Sequence, residues 1–280
     1  MRPIRRLGSW VTKMAMEPPF RIPTRRLLTL ARANVRTRAF WDISPYPAYL
    51  FGILSAADSA QRQGVGQISV IEFGVAGGNG LVAMEREARA VELATGVRIQ
   101  VFGFDMGQSG LPALIGDYRD SPEVWRQGDF PMDESRLRSR LSQRTVLILG
   151  NVRDTVDSFF DRYSPPPIGF ISVDLDLYSS AKEALRILTL PTTRMLWHVP
   201  MYFDDITGIA VHRFAGELLA IQEFNDTNTA VKIDRWHGLG GGRPFPDQGY
   251  LGNIYIAHDL ASISRARAER LPGLMRLSNS

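Results

Sequence analysis

The chain contains no cysteine. Disulfides, thiolate metal sites and a cysteine nucleophile are excluded, and the absence fits an expected cytoplasmic location. Long apolar runs are missing too. Nothing approaches the ~20 residues of a bilayer-spanning helix, and the N-terminus lacks the central apolar segment of a secretory signal. Histidine is scarce: His198, His212, His237 and His258 are the only four, and they show no metal-binding spacing. Of these, His237 alone, beside a glycine-rich loop, has a case as an accessory base, with packing or exposure the simpler reading. No Gly-x-Ser-x-Gly elbow supports a serine hydrolase, and there is no internal repeat. What remains is an ordinary globular composition, 44% apolar and 22% charged over 280 residues, enough for one large domain or two small ones.

Acid is scarce at one end. Residues 1–40 hold ten basic side chains (Arg2, Arg5, Arg6, Lys13, Arg21, Arg25, Arg26, Arg32, Arg36, Arg38) and one acid, Glu17, a local +9; the other 240 residues carry 23 bases and 28 acids, or −5. The overall +4 is therefore no sign of a nucleic-acid-binding domain, and no nucleic-acid partner is expected. Contact with a membrane surface or an acidic patch, or an organellar transit segment, are readings of this arm. The favoured one is a helical arm with a solvated basic face that packs on the body. Prolines at 18, 19, 23, 45 and 47 break this region into short pieces, and Tyr49, Leu50, Ile53, Leu54 and Ala57 predict a helix at about 48–62. The expected division is a basic arm and helical cap at 1–65, a main domain at 66–260 and a C-terminal tail at 261–280.

From residue 68 onward, apolar runs at about 68–74, 99–105, 145–150, 168–174, 195–203 and 252–257 read as buried strands. Helical stretches at about 79–95, 134–143, 153–162, 179–188 and 211–224 separate them. Strands alternating with helices predict right-handed crossovers and an α/β fold, its mostly parallel sheet covered on both faces. The piece His237-Gly-Leu-Gly-Gly-Gly-Arg-Pro-Phe-Pro246 reads as a flexible connection between late strands.

The first strand runs through Glu72 into Gly74, followed by Gly77, Gly78 and Gly80. Glycine permits positive φ and lets backbone N–H groups approach a ligand. Asp105, 31 residues beyond Gly74, ends the second strand, where a carboxylate can accept both ribose hydroxyls. Together they favour a nucleoside-containing cofactor; the alternative is a turn in which Asp105 only caps the next segment. The spacing differs from the Gly-x-Gly-x-x-Gly of a dinucleotide loop. A carboxylate beside the turn suits an ammonium or sulfonium better than a pyrophosphate, which favours S-adenosylmethionine over NAD.

Two acidic pairs lie further along, Asp174/Asp176 and Asp204/Asp205. Residues two apart at an extended strand end project to one side, and neighbouring strands would bring the pairs together. Such a cluster needs a cation or protons to compensate it, and all-oxygen ligation points to Mg²⁺, Mn²⁺ or Ca²⁺. The alternative is that Asp176 or Asp205 caps a helix.

These residues resemble class I S-adenosylmethionine-dependent methyltransferases, and within them the macrocin O-methyltransferase family, over roughly 65–258. The likeness is carried by Glu72-Phe-Gly-Val-Ala-Gly-Gly78, Phe104-Asp105 with Gly110-Leu-Pro112, Trp125-Arg-Gln-Gly-Asp-Phe130, Gly150-Asn-Val-Arg-Asp-Thr155, Val173-Asp-Leu-Asp-Leu-Tyr-Ser179 and Phe203-Asp-Asp205, in that order. It implies a Rossmann-like seven-stranded sheet whose first, fourth and fifth strands are neighbours. By position, Glu72, Gly74, Val75, Gly78, Asp105, Asn151 and Val152 would hold S-adenosylmethionine, with Asp105 on the ribose and Asn151 and Val152 flanking the adenine. Asp174, Asp204 and Asp205 would ligate Mg²⁺, and Asp176 would be the general base for methylation of a small hydroxylated acceptor, a sugar hydroxyl in that family. A homo-oligomer is a further expectation. Leu190 to Pro200 replaces the family's Gly-Gly turn before the fifth strand, and the basic arm and loop 237–246 have no assigned counterpart. A metal-independent methyltransferase, a non-catalytic protein of the same fold docking through its arm, and an NAD-dependent oxidoreductase are the competing readings.

Overall fold

Strand formation follows the buried, β-branched and aromatic runs. In the computed structural model, which describes residues 14–268, β1 (Gln67–Phe73), β2 (Arg98–Asp105), β3 (Thr145–Leu149), β4 (Ile168–Val173), β5 (His198–Phe203), β6 (Val231–Arg235) and β7 (Ile254–Asp259) form one sheet in the order β3-β2-β1-β4-β5-β7-β6. The first five strands in that order are parallel, and β7 runs antiparallel to both β5 and β6. All six residues of β4 and six of the seven in β1 are buried, as expected for strands covered on both faces.

Helices cover those faces. The helix α3 (Pro47–Arg62) starts on a proline whose fixed φ suits the first helical position, and it buries Leu50, Ile53 and Leu54 in the same apolar core as the sheet. Gly52 lets it lie against Phe170, whose ring would be 2.2 Å from a Cβ there. Helix α4 (Asn79–Thr95) buries Leu81, Met84, Ala88 and Val91 at helical spacing, the apolar stripe of a surface helix. Left-handed glycines, Gly78 and Gly96, bound it. Around β2, Phe102 meets Phe159 with ring centroids 5.0 Å apart, and Phe104 meets Phe73 at 4.7 Å. Burying each such ring contributes roughly 2–3 kcal/mol.

Several boundaries differ from expectation. The segment predicted as one helix at 153–162 is two short ones, α6 (Val152–Asp157) and α7 (Phe159–Tyr163), joined at Ser158. Helix α9 (Gly216–Thr227) begins later than 211, because its apolar periodicity only starts at Leu218 and His212 to Phe214 stay exposed. Two further helices are α5 (Glu134–Arg140), between β2 and β3, and α8 (Tyr178–Leu185), between β4 and β5. Strand β6 was not anticipated: it is a short edge strand with only Val231 and Ile233 buried, too polar to read as a core run. Beyond β7 lies α10 (Leu260–Ala268).

Within the basic arm, α1 (Arg21–Leu30) buries none of its residues. It meets the body through Arg21 and Arg25, whose guanidinium groups lie 5.3 and 5.2 Å from the Phe245 ring centre. In α2 (Val35–Phe40), Arg36 pairs with Asp58 and Arg38 with the buried Glu87. Arg2, Arg5, Arg6 and Lys13 lie outside the described residues, as does most of the expected tail.

Candidate functional site

The strand order reverses between β2-β1 and β4-β5, which opens a crevice at the carboxyl edge of the sheet. Ladder bonding continues one residue beyond the strands and fixes the residues at their ends. The Gly74 N–H donates to Phe104 O (2.9 Å), Asp174 N–H to Phe73 O (2.9 Å), Asp204 N–H to Val173 O (3.0 Å) and Gly150 N–H to Asp105 O (2.9 Å). One edge thus carries the glycine turn, Asp105 and both acidic pairs.

Gly74 has φ +83°, and a Cβ would lie 1.7 Å from the Asp174 carbonyl oxygen. Only glycine lets the β1 and β4 ends approach so closely. At Gly80 a Cβ would lie 2.1 Å from Glu72 Oε1, so this glycine clears space for the Glu72 carboxyl. Glu72 itself is buried. Tyr49 OH donates to its Oε1 (2.6 Å) and in turn accepts from Ser172 Oγ (3.1 Å), while Oε2 has no hydrogen-bond partner. Burial, opposed by the Tyr49 bond and reinforced by Asp174 and Asp105, pushes this carboxyl up to about 8. An orphaned, buried carboxyl oxygen beside a cavity is suited to a cationic ligand.

Asp105 braces the turn. Its Oδ2 accepts from the Val75 and Ala76 N–H groups (2.9 and 2.8 Å), and its Oδ1 accepts from Gly107 N–H (2.6 Å). A carboxylate offers about four acceptor positions, so capping and a ligand contact are compatible here. Asn151 caps α6 by accepting from Arg153 N–H, and Val152 is its first residue. Neither lines the two cavities at the turn, although they follow directly on Gly150, whose N–H donates to Asp105 O.

Those two cavities flank Gly74. One, of about 390 Å³, lies between the glycine turn, the α3 N-terminus (Tyr46 to Tyr49) and Glu72, Asp174, Tyr202 and Asp204. The other, of about 290 Å³, is lined by Asp105, Met106, Leu111, Phe130, Asp174 and Asp176. Gly74 and Asp174 line both. A clip builds the second wall: Leu111 N–H donates to Asp129 O and Gly128 N–H to Leu111 O, at 2.7 and 2.9 Å. Gly110 permits it, since a Cβ there would lie 2.3 Å from Asp129 O.

One carboxylate oxygen each from Asp174, Asp204 and Asp205 lies within 4.8 Å of the others. No basic side chain pairs with them among the described residues. Burial, then Asp204 and Asp205, pushes the Asp174 carboxyl up to about 7. Asp205 and Asp176 are raised as well, burial first and then their acidic neighbours. The oxygen-only donor set, with its uncompensated charge, fits a hard divalent cation. The extended geometry expected for Asp174 and Asp176 is not what forms. The strand ends at Val173 and Asp176 has φ +54°, so the chain turns sharply. Asp176 still reaches the cluster, its N–H donating to Asp205 Oδ2 at 3.2 Å.

Among solved structures, CalS11, a calicheamicin methyltransferase, matches with a TM-score of 0.50 and 22% identity over 73% of this chain and 77% of that one. The O-methyltransferase NovP also gives 0.50, at 17% identity over 76% of this chain and 79% of its own. The chain shares the fold of these two methyltransferases. No family model matches the chain, and no curated protein matches it by sequence.

Against this methyltransferase fold, two buried acids stand out that the sequence did not reveal. Glu217, at the start of α9, is fully buried; its oxygens accept from Leu175 N–H (3.4 Å) and Asp205 N–H (3.2 Å), which ties both acidic turns to one group. Burial and Asp205 raise it well above the carboxylate range. Asp120 accepts from Ser179 N–H and Oγ and from Ile115 N–H, fastening the segment after β2 to the start of α8. An acid in a first helical turn reads in sequence as a solvated, dipole-favoured residue, so Glu217 gave no signal of burial. The loop expected to be a flexible connection is anchored: Arg243 Nη2 donates to Asp42 Oδ1, Ala39 O and Tyr250 OH. His237 is exposed, 3.5 Å from Asp234, and lines neither cavity at the turn.

Proposed function

We propose that this protein is an S-adenosylmethionine-dependent O-methyltransferase, acting on a hydroxyl of a small sugar-containing or other natural-product-like acceptor with Mg²⁺ assistance. The observation that carries the reading is the position of Asp174, which lines both cavities at the glycine turn and belongs to the three-carboxylate cluster. That arrangement supports reading the cavities at the turn as a methyl-donor site beside an acid-lined reaction centre. CalS11 and NovP, which share the fold, are both described as methyltransferases, and CalS11 also as a TDP-rhamnose 3'-O-methyltransferase.

Bound S-adenosylmethionine would supply an activated methyl group on a sulfonium, and Mg²⁺ would lower the pKa of the acceptor hydroxyl. The chain's own work is alignment and proton handling. Glu72 takes the ammonium group, the turn from Gly74 through Val75 to Gly78 presents backbone to the ligand, and Asp105 uses its remaining acceptor capacity on the ribose. Asn151 and Val152 bound the adenine from the end of β3. Asp174, Asp204 and Asp205 hold the cation, with Glu217 fixing the turns that present them. The Asp176 carboxylate would take the hydroxyl proton as the acceptor oxygen receives the methyl group and S-adenosylhomocysteine leaves with the electron pair of the broken S–CH₃ bond.

Asp176→Asn tests the base. Asparagine tolerates the left-handed conformation found here, so the turn should persist. S-adenosylhomocysteine binding is expected to be retained, while transfer of labelled methyl to a pool of hydroxylated glycosides falls roughly 10²–10⁴-fold. An Asp176→Asn enzyme with undiminished transfer would remove the assignment.

A further inference from the structure

The solvated basic face expected of the N-terminal arm is reversed in α1. Arg21, Thr24, Arg25 and Leu28, which share one side of a helix, are partly buried, and the two arginines lie on the Phe245 ring. The opposite side carries Ile22, Pro23, Leu27 and Leu30, with Arg26 among them, all exposed. Leu27 is 66% and Leu30 81% exposed, and Met14 and Phe20, just before the helix, are exposed as well. Five of the thirteen large apolar side chains exposed among the described residues thus fall within 14–30. Scattered exposed apolar residues are ordinary, but such a concentration marks a surface that something covers.

The charge around this face is one-sided. Arg36 and Arg38 are paired with Asp58 and Glu87, which leaves eight bases and the single acid Glu17 in residues 1–40. Among the described residues no carboxylate lies within ion-pair distance of Arg21, Arg25, Arg26 or Arg32. The remaining 240 residues carry −5, so positive charge is concentrated on the arm and a negative surface would draw that part of the molecule towards it.

We propose that α1 docks on an anionic phospholipid surface, its exposed apolar side in the interfacial layer and the arm's bases on the headgroups. At ten residues, about 15 Å long, the helix is too short to span a bilayer and suited to lie along one; no described helix is long and apolar enough to cross. On such a surface Ile22, Leu27 and Leu30 leave water, Arg26 reaches the phosphates along its own aliphatic stem, and the neighbouring bases meet lipid charge. A second copy packed on the same face would supply apolar surface but set two basic arms together. An acidic partner without an apolar layer would pair the bases and leave Leu27 and Leu30 in water. No residue at the carboxyl edge of the sheet takes part, so docking is independent of the chemistry proposed there.

The test is flotation of the full chain with vesicles of phosphatidylcholine containing about 30 mol% phosphatidylglycerol, and with vesicles of phosphatidylcholine alone. Binding is expected to the first, and to weaken at least roughly tenfold without phosphatidylglycerol or on raising NaCl from ~0.1 to ~0.5 M. Leu27→Ala with Leu30→Ala, which keeps helix propensity, should weaken it by about 10–100-fold, and Leu27→Asp with Leu30→Asp by at least as much. Melting temperatures should stay those of the parent, because both leucines are exposed. Absence of binding to the anionic vesicles, or equal binding by the leucine variants, overturns the proposal. So does a lipid-free dimer in sedimentation velocity that the leucine variants dissociate, which makes a second copy the occupant of this face.

Discussion

Glu72→Gln separates the cost of a ligand-ready carboxyl from its benefit. The native carboxyl holds its proton up to about pH 8, against an ordinary value of 4.5. Below 4.5 both folded and unfolded states are protonated and Glu72 carries no penalty. As pH rises, the unfolded chain ionises and the folded one does not, so stability is lost progressively up to about pH 8 and is flat above it. At ~1.36 kcal/mol per pH unit, the native state is about 3 kcal/mol worse off at pH 7. Glutamine keeps an acceptor for the Tyr49 hydroxyl and cannot ionise, but it leaves a buried amide N–H without a partner where Oε2 stood. The variant should therefore be about 1–3 kcal/mol more stable than the parent at pH 7, with the gain gone near pH 4. Urea denaturation across that range measures it. Calorimetry should show the reverse trend in function: loss of a charge-assisted bond weakens S-adenosylhomocysteine binding by about 10–100-fold. The parent should also release close to one proton on binding at pH 7, read as a dependence on buffer ionisation enthalpy. A stability gain independent of pH, or unchanged ligand affinity, would refute the role given to Glu72.

Two further substitutions probe the framework. Gly74→Ala should lower stability by about 2–5 kcal/mol, through positive φ and collision with Asp174; Gly64→Ala, at φ +69° with nothing within 4 Å, should cost only the backbone part, about 1–2 kcal/mol. Equal melting temperatures for the two would show that the β1–β4 approach is not tight. Glu217→Gln turns one of two acceptors into a donor facing an N–H, loosening one acidic turn. It should weaken Mn²⁺ binding, followed by paramagnetic resonance, by about 10–100-fold, with S-adenosylhomocysteine affinity unchanged; unaltered Mn²⁺ affinity would remove Glu217 from the site's support.

Much of this was legible in the sequence because the signal was redundant. Buried parallel strands announce themselves as unbroken apolar runs, and α4 begins and ends where the glycines and apolar stripe place it. The site's main chain was legible for the same reason, since strand ends at one sheet edge follow from the alternation alone. The features that escaped depend on tertiary contact. Edge strand β6 alternates weakly. Glu217 and Asp120 look like solvated surface acids, and Arg243 sits in a glycine-rich loop whose composition suggests freedom while its side chain is locked to Asp42. The reading of Asp174 and Asp176 on one face of an extended end failed because the strand stops at Val173, one residue before the pair.

We propose that the glycine turn and Glu72 form a site for S-adenosylmethionine and not for a dinucleotide. Calorimetric titration of the chelator-treated protein with S-adenosylhomocysteine and with NAD tests it most directly. Saturable one-to-one S-adenosylhomocysteine binding is expected without added metal, and no heat with NAD. Binding of NAD, with none of S-adenosylhomocysteine, would contradict it.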